Sequence, residues 1–187
     1  MFPVEAFENT IGKFVAIAEA IGLPFHITGG SISSAYGEPR LTQDIDIVVS
    51  PDVAWIRIDD LINQLARSDF LFTERVLRQA VQTGNLFQLL DKTESLKLDI
   101  YPRELIPGEL QRSQTMELFP GVFLPVVSRT DAAISKLIWI DKGSRRDFRS
   151  IFRSASESQQ RDIRAQAEIT RLTELLEEVL SESDEIR

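Results

Sequence analysis

Apolar residues recur at three- and four-residue intervals over residues 4–21, where Val4, Phe7, Ile11, Phe14, Val15, Ala18 and Ile21 share one helical face. Gly22 stops that helix and Pro24 prevents its continuation. "PFHIT" then reads as a short strand, "GGS" as a turn, and "SISSAYG" as a short helix ending at Gly37. "DIDIVVS" alternates and reads as a strand. Ser50-Pro51 is a cap followed by proline at the first helical position, which predicts a helix over about 52–67. Thr73 to Gln82 suits another short helix. "NLFQLLD" and "LKLDIYP", joined by "KTES", predict a hairpin, and residues 120–128 a further strand. Ser128 and Asp131 resemble a capping box that opens a helix to about Asp141, with Gly143 as its stop. Helices near 145–153 and 158–180 complete the chain. The outline is a mixed α/β first half followed by a helical second half.

A chain of 187 residues suits one domain with a helical appendage, and can bury a sizeable core without staples. With no cysteine, disulfides and thiolate metal sites are excluded. The first ten residues lack a basic stretch followed by an apolar core, so no signal peptide is expected. No apolar run reaches the ~18 residues of a membrane helix, which makes a cytoplasmic location the default. The net charge of −8 argues against a broad nucleic-acid surface. One segment runs against that charge: Lys142–Arg153 carries five basic residues and one acid. It reads as a solvated helix face, or as a limited RNA or triphosphate contact.

Chemistry concentrates in the strand "DIDIVV". Side chains alternate along a strand, so Asp44 and Asp46 share one face while Ile45 and Ile47 take the core. Two neighbouring carboxylates repel, and a cation relieves them. Magnesium, which takes one or two carboxylates together with substrate phosphates, suits the pair best. "LKLDI" repeats the pattern with Lys97 and Asp99. If its strand lies beside the first, Asp99 joins Asp44 and Asp46 in an arrangement suited to two-metal phosphoryl transfer. Upstream, Gly29 and Gly30 let the backbone approach a phosphate, Ser31 adds a hydroxyl donor, and the helix that follows aims N–H groups at an anion. Arg40 reads as a phosphate contact or a solvated turn residue. His26, the only histidine, reads as structural. There is no G-x-S-x-G elbow and no P-loop motif.

Glycine–serine, a dozen residues, then Asp-x-Asp on a strand resembles the signature of the nucleotidyltransferase superfamily that includes DNA polymerase β. Within it, residues 25–151 look most like the abortive-infection nucleotidyltransferase toxins of type IV toxin–antitoxin systems and related small bacterial proteins. Their Lys-x-Asp is matched by Lys97-x-Asp99, their helical Asp and Lys by Asp131 and Lys136, and a last Asp by Asp147. "AYGEPRLTQDID" shares an arginine and a threonine ahead of the acidic pair. The resemblance implies a small mixed sheet flanked by helices: a nucleotidyltransferase core over 1–128 with the N-terminal helix, and a helical region over 129–187 packed on it as a single unit. It implies magnesium-dependent transfer of a nucleoside monophosphate from an NTP to an acceptor hydroxyl. Asp44, Asp46 and Asp99 would be metal-binding and catalytic; Gly29, Gly30, Ser31, Arg40, Lys97 and Lys136 would bind phosphate. The acceptor, whether tRNA, protein or small molecule, is open, and a cognate antitoxin is a possible partner. The other reading is a protein that keeps the fold and binds nucleotide or a partner without catalysis. On the plain reading, Lys136 is an exposed helix lysine, Asp131 a helix-start residue and Asp147 the partner of a neighbouring arginine. Trp139, by its position beside Lys136, is expected to be covered.

Overall fold

The structure, a computed structural model, describes residues 3–38, 44–140 and 142–182. Arg40, with the rest of 39–43, lies outside the described residues. Among those described, the chain forms seven strands and nine helices, a mixed α/β fold. It divides into two compact units, one of Met1–Ser31 and Leu41–Val127, the other of Ile32–Arg40 and Ser128–Arg187.

The first unit holds the whole sheet. Its strands are β1 (Phe25–Thr28), β2 (Asp44–Val49), β3 (Phe70–Leu71), β4 (Phe87–Asp91), β5 (Lys97–Tyr101), β6 (Gln114–Phe119) and β7 (Val122–Val126), in the spatial order β3-β4-β5-β2-β1-β7-β6. β2 runs parallel to β5 and β1 parallel to β7, whereas the β1–β2, β3–β4, β4–β5 and β6–β7 pairs are antiparallel. Ile27, Ile45, Ile47, Leu89, Leu98 and Ile100 are almost fully buried. The helix α1 (Val4–Ala20) ends as the periodicity predicts, and its Phe14 meets Phe25 edge to face at 5.5 Å. α1 is also held at the hairpin. Asp91, at the end of β4, accepts hydrogen bonds from Thr10 at 2.9 Å and from Lys13 at 2.8 Å. Burial alone would raise the Asp91 carboxyl, but the Lys13, Thr93 and Thr10 hydrogen bonds outweigh it and hold it down to about 2.

Several elements differ from the sequence pattern, each for a local reason. The helix α2 (Gly29–Tyr36) begins at Gly29, so the glycines form its first turn rather than a separate one. The stretch 52–67 is two helices, α3 (Pro51–Ile56) and α4 (Ile58–Ala66), separated by Arg57 at φ −103°, ψ 20°. Ser50 caps the first through the Val53 N–H, and Asp59 and Asp60 give the second an acidic first turn. α5 (Glu74–Thr83) ends at Gly84, which takes a left-handed φ of 67°. β3 is too short to announce itself, and β6, none of whose residues is buried, alternates only over Thr115–Leu118 and is missed by the pattern.

The second unit is helical: α6 (Arg129–Ile138), α7 (Lys142–Arg153), α8 (Glu157–Ile169) and α9 (Thr173–Ser181). Gly143 lies inside α7 rather than ending α6, whose C-cap is Trp139. The 158–180 pattern breaks at Arg171, which takes φ 59° between α8 and α9. Ile134, Leu137, Phe148, Ile151, Ile163 and Val179 are its buried apolar residues. Arg129 stacks on the Tyr36 ring at 4.8 Å and donates to the Tyr36 carbonyl at 2.7 Å. Burial, partly offset by Arg129, pushes the Tyr36 phenol up to about 12.

Candidate active site

Strand register decides which side chains meet. Asp46 pairs with Asp99 on one side and Thr28 on the other, and Asp99 pairs in turn with Gln88. This gives one rung, Gln88–Asp99–Asp46–Thr28, on a single face of the sheet. The next rung is Leu71–Leu90–Lys97–Asp44. A third carries Tyr101, Val48 and His26. Ile45, Ile47, Leu98 and Ile100 point the other way, into the core. Thus Asp-x-Asp and Lys-x-Asp are the same-face halves of two adjacent parallel strands, and the sheet places Asp46 directly beside Asp99.

The polar contacts on this face are specific. Lys97 Nζ lies 3.4 Å from both Asp44 Oδ1 and Asp99 Oδ1. Burial works against the Lys97 charge, but Asp99 and Asp44 outweigh it and raise its pKa, so the ammonium is held charged. Gln88 donates to Asp99 Oδ1 at 3.1 Å, and the Tyr101 hydroxyl donates to Asp46 Oδ1 at 3.2 Å. Burial first, then the Asp46 and Asp99 charges, push the Tyr101 phenol up, which keeps it a donor. Asp99 is 8% exposed, while Asp44 is open to solvent. Gln88 and Tyr101 are residues that motif spacing does not flag. Register does: each alternates with the apolar residues of its strand on the carboxylate face.

Gly29 shapes the other side of the same face. It takes φ +73°, and a Cβ built there would lie 2.7 Å from Asp46 Cβ and overlap the Asp46 carboxylate. Only glycine permits both the conformation and the close approach. Gly30 follows in the first turn of α2, buried, and the Ser31 hydroxyl donates to the Thr28 carbonyl at 3.3 Å. His26 is fully buried, with Nδ1 2.8 Å from Ser113 Oγ and Nε2 3.9 Å from Glu109. These contacts tie β1 to the segment between β5 and β6.

The donor set is all hard oxygen, the kind magnesium takes. Among the described residues no three Asp, Glu or His side chains are gathered tightly enough to hold one ion. Asp46 and Asp99 fit the one-or-two-carboxylate requirement, whereas Asp44 faces the Lys97 ammonium.

The remaining sequence candidates belong to the helical unit. Lys136 donates to Asp147 at 3.0 Å, with side chains only 13% and 9% exposed. It is therefore an internal ion-pair member rather than an open helix lysine. Trp139 is 57% exposed and not covered. Asp131 is buried at the start of α6, where its carboxylate accepts from the Ser128 hydroxyl at 2.7 Å and its N–H donates to the same oxygen. The basic strip is tied to acids of its own unit. Arg145 pairs with Glu178 and Glu182, Arg149 with Glu182, and Arg146 with Glu38. It is thus not a simply solvated face.

Residues 23–180 match the family described as "Nucleotidyl transferase AbiEii toxin, Type IV TA system". The chain belongs to the AbiEii nucleotidyltransferase family. Among curated proteins none matches significantly. Solved structures share the fold at low identity. The antibiotic-resistance factor ANT(2'')-Ia aligns with a TM-score of 0.58 at 16% identity, over 95% of this chain and 98% of its own. An antigenic nucleotidyltransferase-like protein from Paracoccidioides brasiliensis aligns at 0.52 and 19% identity, over 90% and 91%. A Thermotoga maritima protein assigned to the nucleotidyltransferases aligns at 0.50 and 18%, over 74% and 87%. The AbiEii assignment makes this an enzyme of the nucleotidyltransferase class. No described helix is long and apolar enough to cross a membrane.

Proposed function

We propose that this AbiEii-family protein transfers a nucleoside monophosphate from an NTP to an acceptor hydroxyl with magnesium bound, as the toxin of a toxin–antitoxin pair. The observation that carries the reading is the rung on which Asp46 and Asp99 stand side by side, with the Asp46 carboxylate against Gly29 at the start of α2. Asp46 and Asp99 would hold the metal; Asp44, which faces the Lys97 ammonium, belongs to the metal set on the family pattern alone. Bound there, the ion would neutralise triphosphate charge and favour the alkoxide form of the acceptor. Gly29, Gly30 and Ser31 bring backbone and hydroxyl close to the phosphates, and the N-terminal end of α2 favours the anion. Asp99 accepts the proton of the acceptor hydroxyl. The hydroxyl oxygen then bonds to the α-phosphorus as the α–β bridging bond breaks, and pyrophosphate leaves with its electrons. Lys97 offsets charge on the same rung as Asp44. Arg40 and Lys136 belong to the reading on the family pattern alone. A cognate antitoxin is the expected partner.

The test is label transfer. Each α-labelled NTP is incubated with Mg²⁺ and total tRNA or cell protein, comparing wild type with Asp44→Asn and Asp46→Asn. Loss of label by roughly a hundredfold or more in Asp46→Asn is expected, on the scale of losing one electrostatic contact in a site. Transfer that survives both substitutions sinks the assignment.

One observation favours a second reading, a nucleotide- or partner-binding protein without transfer. The Lys97 ammonium between Asp44 and Asp99 already supplies a positive charge where a metal would. Nucleotide binding with no transfer to any acceptor would support it.

A further inference from the structure

The carboxylate rung continues sideways into a cavity that the proposed reaction has not used. It has a volume of about 530 Å³ and lies between β3, β4 and α5, all within the sheet-bearing unit. Leu71, Val76, Leu86 and Leu90 form its apolar wall, and each is more than a third exposed although apolar. Gln88 and Lys97 form its inner edge. Both also touch Asp99, Gln88 at 3.1 Å and Lys97 at 3.4 Å. The cavity therefore opens beside the proposed base, on the β4 side of β5. The Gly29–Gly30 turn follows β1, on the opposite side of Asp46.

We infer that this cavity is the acceptor subsite, and that the acceptor is an uncharged small molecule whose apolar ring or chain carries the reacting hydroxyl. The inference rests on the nucleotidyl-transfer reading and specifies its acceptor. Size is the first argument, since the volume is that of a small-molecule pocket. Charge is the second. Among the described residues lining the cavity Lys97 is the only charged one, and it is already matched by Asp44 and Asp99. Among the described lining residues a polyanion such as an RNA end would find no unmatched cation, and a polycation would find at the inner edge only the Asp44 and Asp99 carboxylates that Lys97 already contacts. Four exposed aliphatic side chains instead suit an apolar body. Position is the third. A hydroxyl at the inner edge reaches Asp99 from the side opposite the glycine turn, as attack in line with a departing pyrophosphate requires.

The experiment uses the full chain and three isosteric probes, 2-naphthylmethanol, 2-naphthoate and 2-naphthylmethylammonium, with binding followed by protein NMR. Val76→Trp fills the cavity from an exposed position without touching the carboxylate rungs. The alcohol should bind wild type at least tenfold more tightly than either ion, shift amides of β4 and α5, and weaken at least tenfold in Val76→Trp. Mg·NTP affinity, measured separately, should change less than twofold in that variant. Comparable affinity for all three probes, or alcohol binding untouched by Val76→Trp, overturns the proposal. So does displacement of the alcohol from wild type, but not from Val76→Trp, by a single-stranded RNA oligonucleotide. Failure of Mg·NTP to bind wild type, with the alcohol still selective for the cavity, would fault the transfer reading instead.

Discussion

An alanine at Gly29 would have to keep a φ of +73° while its Cβ overlapped the Asp46 carboxylate. The backbone cost alone is about 1–2 kcal/mol. Moving Asp46 is the larger functional effect, because a displacement of order 1 Å in a reacting site can cost roughly a hundredfold. Gly29→Ala should therefore remain folded, with a modest fall in unfolding midpoint, and lose about two orders of magnitude in label transfer. Equal, small losses in stability and transfer would separate Gly29 from the site. Tyr101 makes a gentler probe. Its phenol stays protonated and holds Asp46 Oδ1, so Tyr101→Phe removes one donor and no charge. A single such hydrogen bond is worth about 1 kcal/mol, so transfer should fall roughly fivefold with calorimetric stability almost unchanged. The aspartates are legible in the sequence because acids in an apolar alternation have few structural excuses. Tyr101 and Gln88 are not, since their importance exists only once strand register sets them beside Asp46 and Asp99.

Among the elements, α1 is recognisable from its periodicity, and beside its apolar contact of Phe14 with Phe25 a polar cluster fixes it to the sheet. Asp91 is buried and accepts from Thr10 and Lys13, and its carboxyl is held down to about 2 against an ordinary 3.8. A carboxyl depressed on folding stabilises fully above its unfolded value and loses that contribution as pH falls through its folded one. The α1–hairpin junction should thus lose about 2 kcal/mol as pH falls from ~4 to below ~2. Asp91→Asn should be destabilised by a similar amount near neutrality and should lack this part of the acid dependence. Urea melts of both proteins across that range measure it; parallel curves would remove Asp91 from the junction. The same contrast explains which elements the pattern misses. Apolar alternation marks β1, β2, β4 and β5 and a continuous apolar run marks β7, whereas β6 buries no residue and pairs only along one edge with β7. The break at Arg57 and the αL residue Arg171 depend on backbone geometry that no residue type announces.

For the whole molecule, composition foresees an acidic surface but not where its charges cancel. A net charge of −8 coexists with the Lys142–Arg153 strip, which in sequence reads as a possible RNA contact. Three of its arginines are instead matched within the helical unit by Glu38, Glu178 and Glu182, residues up to 108 positions away in the chain. Such pairing is invisible to any window reading. The division of the chain falls within α2, between Ser31 and Ile32, where no change of composition marks it. The charge arrangement sets a further expectation. An RNA would have to displace the protein's own carboxylates to reach Arg145 or Arg149, while the surrounding charge repels it. Fluorescently labelled tRNA should therefore bind wild type more weakly than about 10 μM at ~150 mM salt, with a log K against log salt slope shallower than about −2. Glu182→Gln removes the Glu182 carboxylate from both Arg149 and Arg145. It should strengthen binding severalfold and steepen the slope by about one, since each newly paired phosphate releases roughly one counterion. Submicromolar binding by wild type with a steep slope would place a phosphate-binding surface elsewhere on the molecule and return tRNA to the front of the acceptor candidates.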